Sequence, residues 1–391
     1  MKRIDGGICA VSGVRACGMR RVDGYGLAII AAEGAAAGVF TTNKIRAAPL
    51  DVSEKNLAAG GRLKGVIANS GCANAYTGAR GIRDAEKMAG LLAGHLGCAP
   101  DEIGVASTGV IGRYLDLEQM AEMLEDMKTD LRSSPGASED AARAIMTTDT
   151  LAKEVAFEHE GFRIAGIAKG AGMIEPQMAT MLSFLYTDAD LTSEVLKECL
   201  AEAVDDSFNM LTVDGDTSTN DMVLITATGR SRCEPEAFKE ALSRVCTELA
   251  KMIARDGEGA TKGVVTVVAG AVCREDARAA AKTIMGSSLV KTALFGQDPN
   301  WGRIVAALGR SGAELDPDLI TLSIGSPAEE VTLVDRGRIV EGGLVLDQAE
   351  KIMKSDDLEI RLDLGLGQGE ARSFGCDLSY EYVKINSEYT S

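Results

Sequence analysis

The stretch KGAGMIEPQMATML, Lys169–Leu182, decides how this chain is read. Gly170 and Gly172 admit backbone angles that other residues avoid. Pro176 halts regular structure. Beyond it the chain turns apolar, through Met181, Leu182, Phe184 and Leu185. Thr180 therefore stands where an irregular, glycine-rich loop meets a buried strand. On composition alone the plain reading, a loop entering a core strand, stays ahead of a reactive site.

Outward from this stretch, strand and helix signals alternate. Residues 27–31 (LAIIA), 38–42 (GVFTT), 64–69 (KGVIAN), 222–228 (MVLITAT) and 263–269 (GVVTVVA) are short β-like runs bounded by glycine or polar residues. Helical spacing covers 84–96, 116–131, 192–206 with Thr192 as N-cap, 236–254, and an alanine-rich run from about 275 to 290. Along 236–254, Phe238, Leu242, Val245, Leu249, Met252 and Ile253 form one apolar stripe. Met120, Met123 and Met127 recur with Leu117 and Leu124 as a core stripe, since Met is a common core filler. Residues 358–366 alternate strictly and 378–385 more loosely, which predicts two strands with the GQGEAR segment as a hairpin tip. The fold class is mixed α/β.

Composition excludes several functions. The 391 residues carry 41 basic and 58 acidic side chains, a net charge of −17. Phosphate backbones and anionic membranes need a clustered basic surface, so neither nucleic acid nor a lipid surface is the expected partner. Two histidines, His95 and His159, leave no His-rich metal site. Nine scattered cysteines with no C-x-x-C pair form neither a zinc site nor a secreted disulfide framework. Reduced thiols in a cytoplasmic protein are the expectation. The start, MKRIDGGICAVSG, has no apolar run of signal length, and no run is long enough for a membrane span.

Three near-motifs fail. Asp214, Asp216, Ser218 and Asn220 imitate a calcium loop, but Thr219 and Ile225 replace its glycine and glutamate. GEGATKG at 257–263 lacks Walker spacing, and GLGQG at 365–369 lacks the third glycine of a dinucleotide fingerprint. Two polar loops remain. NSGCANAYTG at 69–78 follows a strand and suits a ligand-facing loop. STGVIG at 107–112 contains a Thr-Gly turn, Thr108-Gly109, able to aim a hydroxyl and backbone N–H groups at one point, as an oxyanion hole does. By itself it is an ordinary turn.

With these loops in view, KGAGMIEPQMATML resembles the signature of the ornithine acetyltransferase family, the ArgJ-type enzymes of arginine biosynthesis. The likeness continues through GVFTTNK at 38–44, NSGCANAYTG, STGVIG, IMTTDT at 145–150, NMLTVDGDTSTND at 209–221, DGEGATK at 256–262, GQDPNWGRI at 296–304 and the terminal YVKINSEYTS. Nine ordered blocks span nearly the whole chain. Gly263 stands where the family pattern suggests an aromatic residue, away from the chemistry.

The resemblance implies an ArgJ- and DmpA-like fold of β-sheet layers packed between α-helices. It implies self-cleavage at Ala179–Thr180 into an α chain of residues 1–179 and a β chain of 180–391. The freed α-amine of Thr180 would then act as base for its own Oγ, and its reference pKa of about 7.7–8.0 suits that task. By resemblance, Thr180 accepts acetyl from N-acetylornithine and passes it to glutamate. Thr108 and Gly109 would hold the oxyanion. Thr147, Lys169, Thr180, Glu258, Asn386 and Ser391 would bind substrate, with Thr148 the neighbouring alternative to Thr147. Lys169 suits a carboxylate, and Glu258 an ammonium. The resemblance implies no metal and no cofactor. Acetyl-CoA is a further co-substrate in some members, and two α and two β chains form a heterotetramer. The alternative is an amidohydrolase or aminopeptidase of similar fold, in which water takes the acyl group.

Overall fold

The computed structural model describes residues 1–22, 24–175 and 181–388. The chain divides into two compact units. Among the described residues the first comprises Met1–Asn209 and Asp216–Leu249, the second Met210–Gly215 and 250–388.

The strands of the first unit are β1 (Lys2–Arg3), β2 (Arg15–Arg20), β3 (Gly26–Phe40), β4 (Arg62–Ser70), β5 (Ile103–Ser107), β6 (Lys153–His159), β7 (Phe162–Lys169), β8 (Leu182–Ala189) and, after β9 of the other unit, β10 (Met222–Ser231). Among the described residues they form one mixed sheet in the order β1-β6-β7-β8-β10-β3-β4-β5, with β2 paired to β3. Sequence reading places separate strands at 27–31 and 38–42. The structure makes them one fifteen-residue strand, β3. The residues between are Ala and Gly, with one exposed Glu33, so nothing there stops an extended chain. The register does shift between Ala31 and Gly34.

That irregular strand explains the layering. The first part of β3 pairs with β4, and its last part with β10. The two halves of the sheet then lie face to face. Val66, Ala68 and Ala106 from β4 and β5 share one apolar cluster with Ile167, Phe184 and Leu224 from β7, β8 and β10. Alternation along β3 separates the faces: Ala28 and Ile30 enter this inner cluster, while Leu27 and Ile29 enter an outer one. The outer cluster holds Met88 and Leu92 of α2 (Gly78–Leu96) and Met120, Met123 and Leu124 of α3 (Leu117–Asp126), so the methionine stripe is core. α1 (Ala48–Gly60) is tied to the same side, where Ser53 Oγ donates to the Val105 carbonyl at 2.7 Å. α4 (Pro135–Ala144) packs against β2 so closely that a Cβ on Gly18 would lie 2.2 Å from the Asp140 carbonyl oxygen. α5 (Ser193–Asp205) is capped by Thr192, as its sequence predicts. α6 (Pro235–Arg255) lays Val245 and Leu249 over Gly166 of β7.

The second unit carries a seven-stranded sheet among its described residues. Its strands are β9 (Leu211–Thr212), β11 (Gly263–Ala271), β12 (Thr321–Gly325), β13 (Glu330–Asp335), β14 (Arg338–Ile339), β15 (Asp357–Asp363) and β16 (Gly369–Cys376), in the order β14-β13-β12-β15-β11-β16-β9. β15 and β16 are not a hairpin, which corrects the sequence reading. β11 lies between them, parallel to β15 and antiparallel to β16, and GEAR belongs to β16 itself. The alanine-rich run is two helices, α7 (Arg274–Met285) and α8 (Ser288–Phe295), broken at Gly286 and restarted by the Ser287 cap. α9 (Trp301–Gly309) and α10 (Gly343–Ile352) follow.

Residues 378–385, predicted as a strand, begin α11 (Tyr380–Glu388). Both edges of β16 are already occupied, by β11 and β9. Ser379 Oγ accepts the Glu381 N–H at 3.1 Å and donates to the Gly259 carbonyl at 2.6 Å. A helix start is thereby fixed despite the β-prone Tyr, Val and Ile. No helix among the described residues is long and apolar enough to cross a membrane.

Candidate active site

Thr108 follows β5 directly, and its N–H donates to the Asn69 carbonyl at 3.0 Å. Gly109 has φ +129°, and a Cβ there would lie 2.4 Å from the Gly71 carbonyl carbon and 2.6 Å from the Cys72 nitrogen. Glycine is required on both counts. The Gly109 N–H has no hydrogen-bond partner among the described residues.

The polar residues of the 69–78 loop mostly turn inward, contrary to the ligand-facing reading. Asn69, Ser70 and Asn74 are fully buried. Asn69 Nδ2 donates to the Cys72 carbonyl at 2.9 Å and its Oδ1 accepts from Ser107 Oγ at 2.6 Å. Ser70 Oγ donates to the Ala144 carbonyl, and Asn74 Nδ2 to the Gly81 carbonyl. Buried polar groups need such partners, and here they hold the backbone against which Gly109 packs. Asn220, which sequence reading passed over as a catalytic candidate, completes this frame. Its Nδ2 donates to the Ala73 carbonyl at 2.6 Å and to the Ser107 carbonyl at 2.8 Å.

Lys169 ends β7, is 7% exposed, and its Nζ donates to Thr108 Oγ1 at 3.3 Å. Thr108 thus accepts from a cation, which leaves its own O–H to donate elsewhere. Thr147 joins through Asp149, a residue whose place the sequence did not reveal. Asp149 Oδ2 accepts the Thr147 N–H at 3.1 Å. Its Oδ1 accepts the Gly170 N–H at 2.6 Å and Lys153 Nζ at 2.7 Å. Burial alone pushes the Asp149 carboxyl up. The Lys169 and Lys153 ammoniums and the donated hydrogen bonds outweigh burial and bring it down to about 2.

A second cluster of expected residues lies in the other unit. Glu258 is 8% exposed, and its Oε2 accepts from Asn386 Nδ2 at 2.7 Å. The same Nδ2 reaches the Tyr382 carbonyl at 3.0 Å within α11. Gly259, at φ +67°, lets α11 come close, since a Cβ would lie 2.5 Å from the Tyr382 nitrogen. Asp377 fixes the turn by accepting the Thr261 and Lys262 N–H groups and the Thr261 hydroxyl. The structure therefore joins Thr108, Gly109, Lys169 and Thr147 in one cluster and Glu258 with Asn386 in another. Ala179, Thr180 and Ser391 lie outside the described residues. No group of three or more His, Cys, Asp or Glu side chains that could hold a metal ion occurs among the described residues.

The ArgJ family pattern matches residues 11–391. The glutamate N-acetyltransferase of Methanosarcina mazei is 53% identical over the full length of both chains. The arginine biosynthesis bifunctional protein ArgJ of Archaeoglobus fulgidus is 49% identical, over 94% of this chain and 95% of its own. In the crystal structure of the arginine biosynthesis bifunctional protein ArgJ from Bacillus halodurans, one chain is 42% identical with a TM-score of 0.50. The match covers 54% of this chain and all of that one. The polar turn after β5 and the lysine that ends β7 thus sit in a full-length family match: the chain belongs to the ArgJ family.

Proposed function

We propose that this chain is the glutamate N-acetyltransferase of arginine biosynthesis. It moves acetyl from N-acetylornithine to glutamate through an acetyl-Thr180 ester, after cutting itself at Ala179–Thr180. The observation that carries this reading is the Thr108-Gly109 turn. Its Gly109 N–H has no partner among the described residues, and the oxygen of its hydroxyl is already held by the buried Lys169. A tetrahedral acyl-transfer intermediate needs donors of this kind, and one such donor is worth roughly 10²–10³ in rate.

The strand register supports Thr180 as nucleophile. Leu182, two residues beyond it, pairs with Lys169 across β7 and β8. In maturation, Thr180 Oγ attacks the Ala179 carbonyl, the acyl group shifts from N to O, and water hydrolyses the ester. A new carboxylate and a new α-amine result. In transfer, the amine takes the Thr180 hydroxyl proton as Oγ attacks the acetyl carbonyl. The proton then passes to the departing ornithine nitrogen. The amine of glutamate attacks the acetyl ester, releasing N-acetylglutamate and restoring Thr180. Lys169 is assigned to a substrate carboxylate and Glu258 to a substrate ammonium, with Thr147, Asn386 and Ser391 as further substrate contacts.

The two chains of residues 1–179 and 180–391 stay together in this reading, because β8 of one pairs with β7 of the other. The active form is assigned as two α and two β chains in the cytoplasm. The test is transfer of labelled acetyl from N-acetylornithine to glutamate by the processed protein. Labelled N-acetylglutamate is the expected product. Labelled acetate formed at a rate indifferent to glutamate would instead identify an amidohydrolase.

A further inference from the structure

Asp149 and Lys153 are more deeply enclosed than any chemistry on substrate requires. Their side chains are 0% and 2% exposed. Lys169, 7% exposed, brings a second ammonium to the same region. The two lysines do different things. Lys153 Nζ lies on Asp149 Oδ1 at 2.7 Å and also reaches the Leu151 carbonyl at 3.4 Å. Lys169 Nζ lies on Thr108 Oγ1 at 3.3 Å. A carboxylate and an ammonium inside a protein attract far more strongly than in water. The charge of Lys169 already lowers the Asp149 carboxyl, by more than that of Lys153 does, and its neighbour Gly170 donates to Asp149. Without Lys153, Asp149 would therefore pull harder on Lys169.

We propose that Lys153 is a positioning residue for acyl transfer: by satisfying Asp149 it leaves the Lys169 ammonium on Thr108. Thr108 then keeps its hydroxyl proton directed toward the substrate carbonyl. Asp149 in turn holds the Thr147 and Gly170 N–H groups, so one carboxylate fixes the backbone on both sides of the site. The inference rests on the proposed transferase for its kinetic consequences only; the placement of Lys169 is independent of the reaction.

The test compares wild type, Lys153→Met and the double variant Asp149→Asn/Lys153→Met, as whole self-processed proteins. Two readouts are used: crystal structures, and kcat per processed chain at a temperature where every variant is folded. In Lys153→Met, Lys169 should leave Thr108 for Asp149, moving beyond hydrogen-bond reach of roughly 3.5 Å. Its kcat should fall about 100-fold, the effect of one lost oxyanion donor. In the double variant the charge at position 149 that would draw Lys169 away is gone, so Lys169 stays on Thr108, and kcat recovers to within about tenfold of wild type. Lys153→Gln, which keeps a donor at Asp149, gives the same direction with a smaller fall and serves if Lys153→Met does not fold. A merely structural pair predicts otherwise. Thermal stability would drop in Lys153→Met while Lys169 stays on Thr108 and kcat per processed chain is unchanged; that result overturns the proposal. A wild-type protein that transfers no acetyl would sink the proposed function, while the position of Lys169 in the variants would still decide this inference.

Discussion

The two clusters are built in opposite ways. Around Thr108, the polar side chains behind the site are buried and held: Asn69 and Ser107 by each other, Asn220 by two carbonyls, Asp149 by four donors or cations. Around Glu258, one buried carboxylate meets Asn386, an exposed side chain on α11, a helix with no buried residues. The first arrangement suits a transition state, which rewards fixed dipoles. The second suits a substrate group that must enter and leave. The first should therefore govern kcat and the second KM.

Paired glycine substitutions probe this contrast most sharply. Gly109→Ala places a methyl 2.4 Å from the Gly71 backbone at φ +129°. It should lower kcat by roughly 10²–10³ or more, as read by steady-state transfer assays. Gly259→Ala pushes its methyl 2.5 Å from the Tyr382 nitrogen and so displaces α11. It should raise KM about tenfold, near 1.4 kcal/mol, with kcat within a few-fold of wild type. Equal effects on kcat would break the comparison.

Side-chain changes in the second cluster should be graded. Glu258→Gln removes the charge and should raise KM by roughly ten- to a hundredfold, the worth of one charged hydrogen bond. Asn386→Ala removes a partner that is itself exposed, and should raise KM only a few-fold. The smallest effect expected is on stability in acid. Asp149 has its folded pKa lowered to about 2, against about 3.9 in an unfolded chain. Its contribution is complete above roughly pH 4 and disappears as pH falls toward 2. Denaturant titrations over that window should show a shallower loss for Asp149→Asn/Lys153→Met than for wild type.

These differences also show which parts of the molecule its sequence discloses. Apolar periodicity marks α6 and the α3 methionines because burial of one face is a local pattern. The KGAGMIEPQMATML stretch and the Thr-Gly turn mark the family, because their residues are constrained by chemistry and by backbone angle. What the pattern hides is pairing. β3 reads as two strands because its irregular middle is small-residue chain, although it is the element that stacks the two halves of its sheet. Residues 378–385 alternate like a strand and form α11 because β16 has no free edge and Ser379 caps a helix. Asp149 and Asn220 are ordinary letters in IMTTDT and TSTND. Their roles come from partners brought near by folding, with Asn220 binding Ser107 from 113 positions away.

The account depends most on Thr180 becoming an N-terminal residue. An intact-mass spectrum of the purified, denatured protein tests this directly. The account predicts two species, one ending at Ala179 and one beginning at Thr180, and a single uncut chain for Thr180→Ala. A wild-type chain that stays one species of 391 residues after prolonged incubation, yet still transfers acetyl, would contradict it.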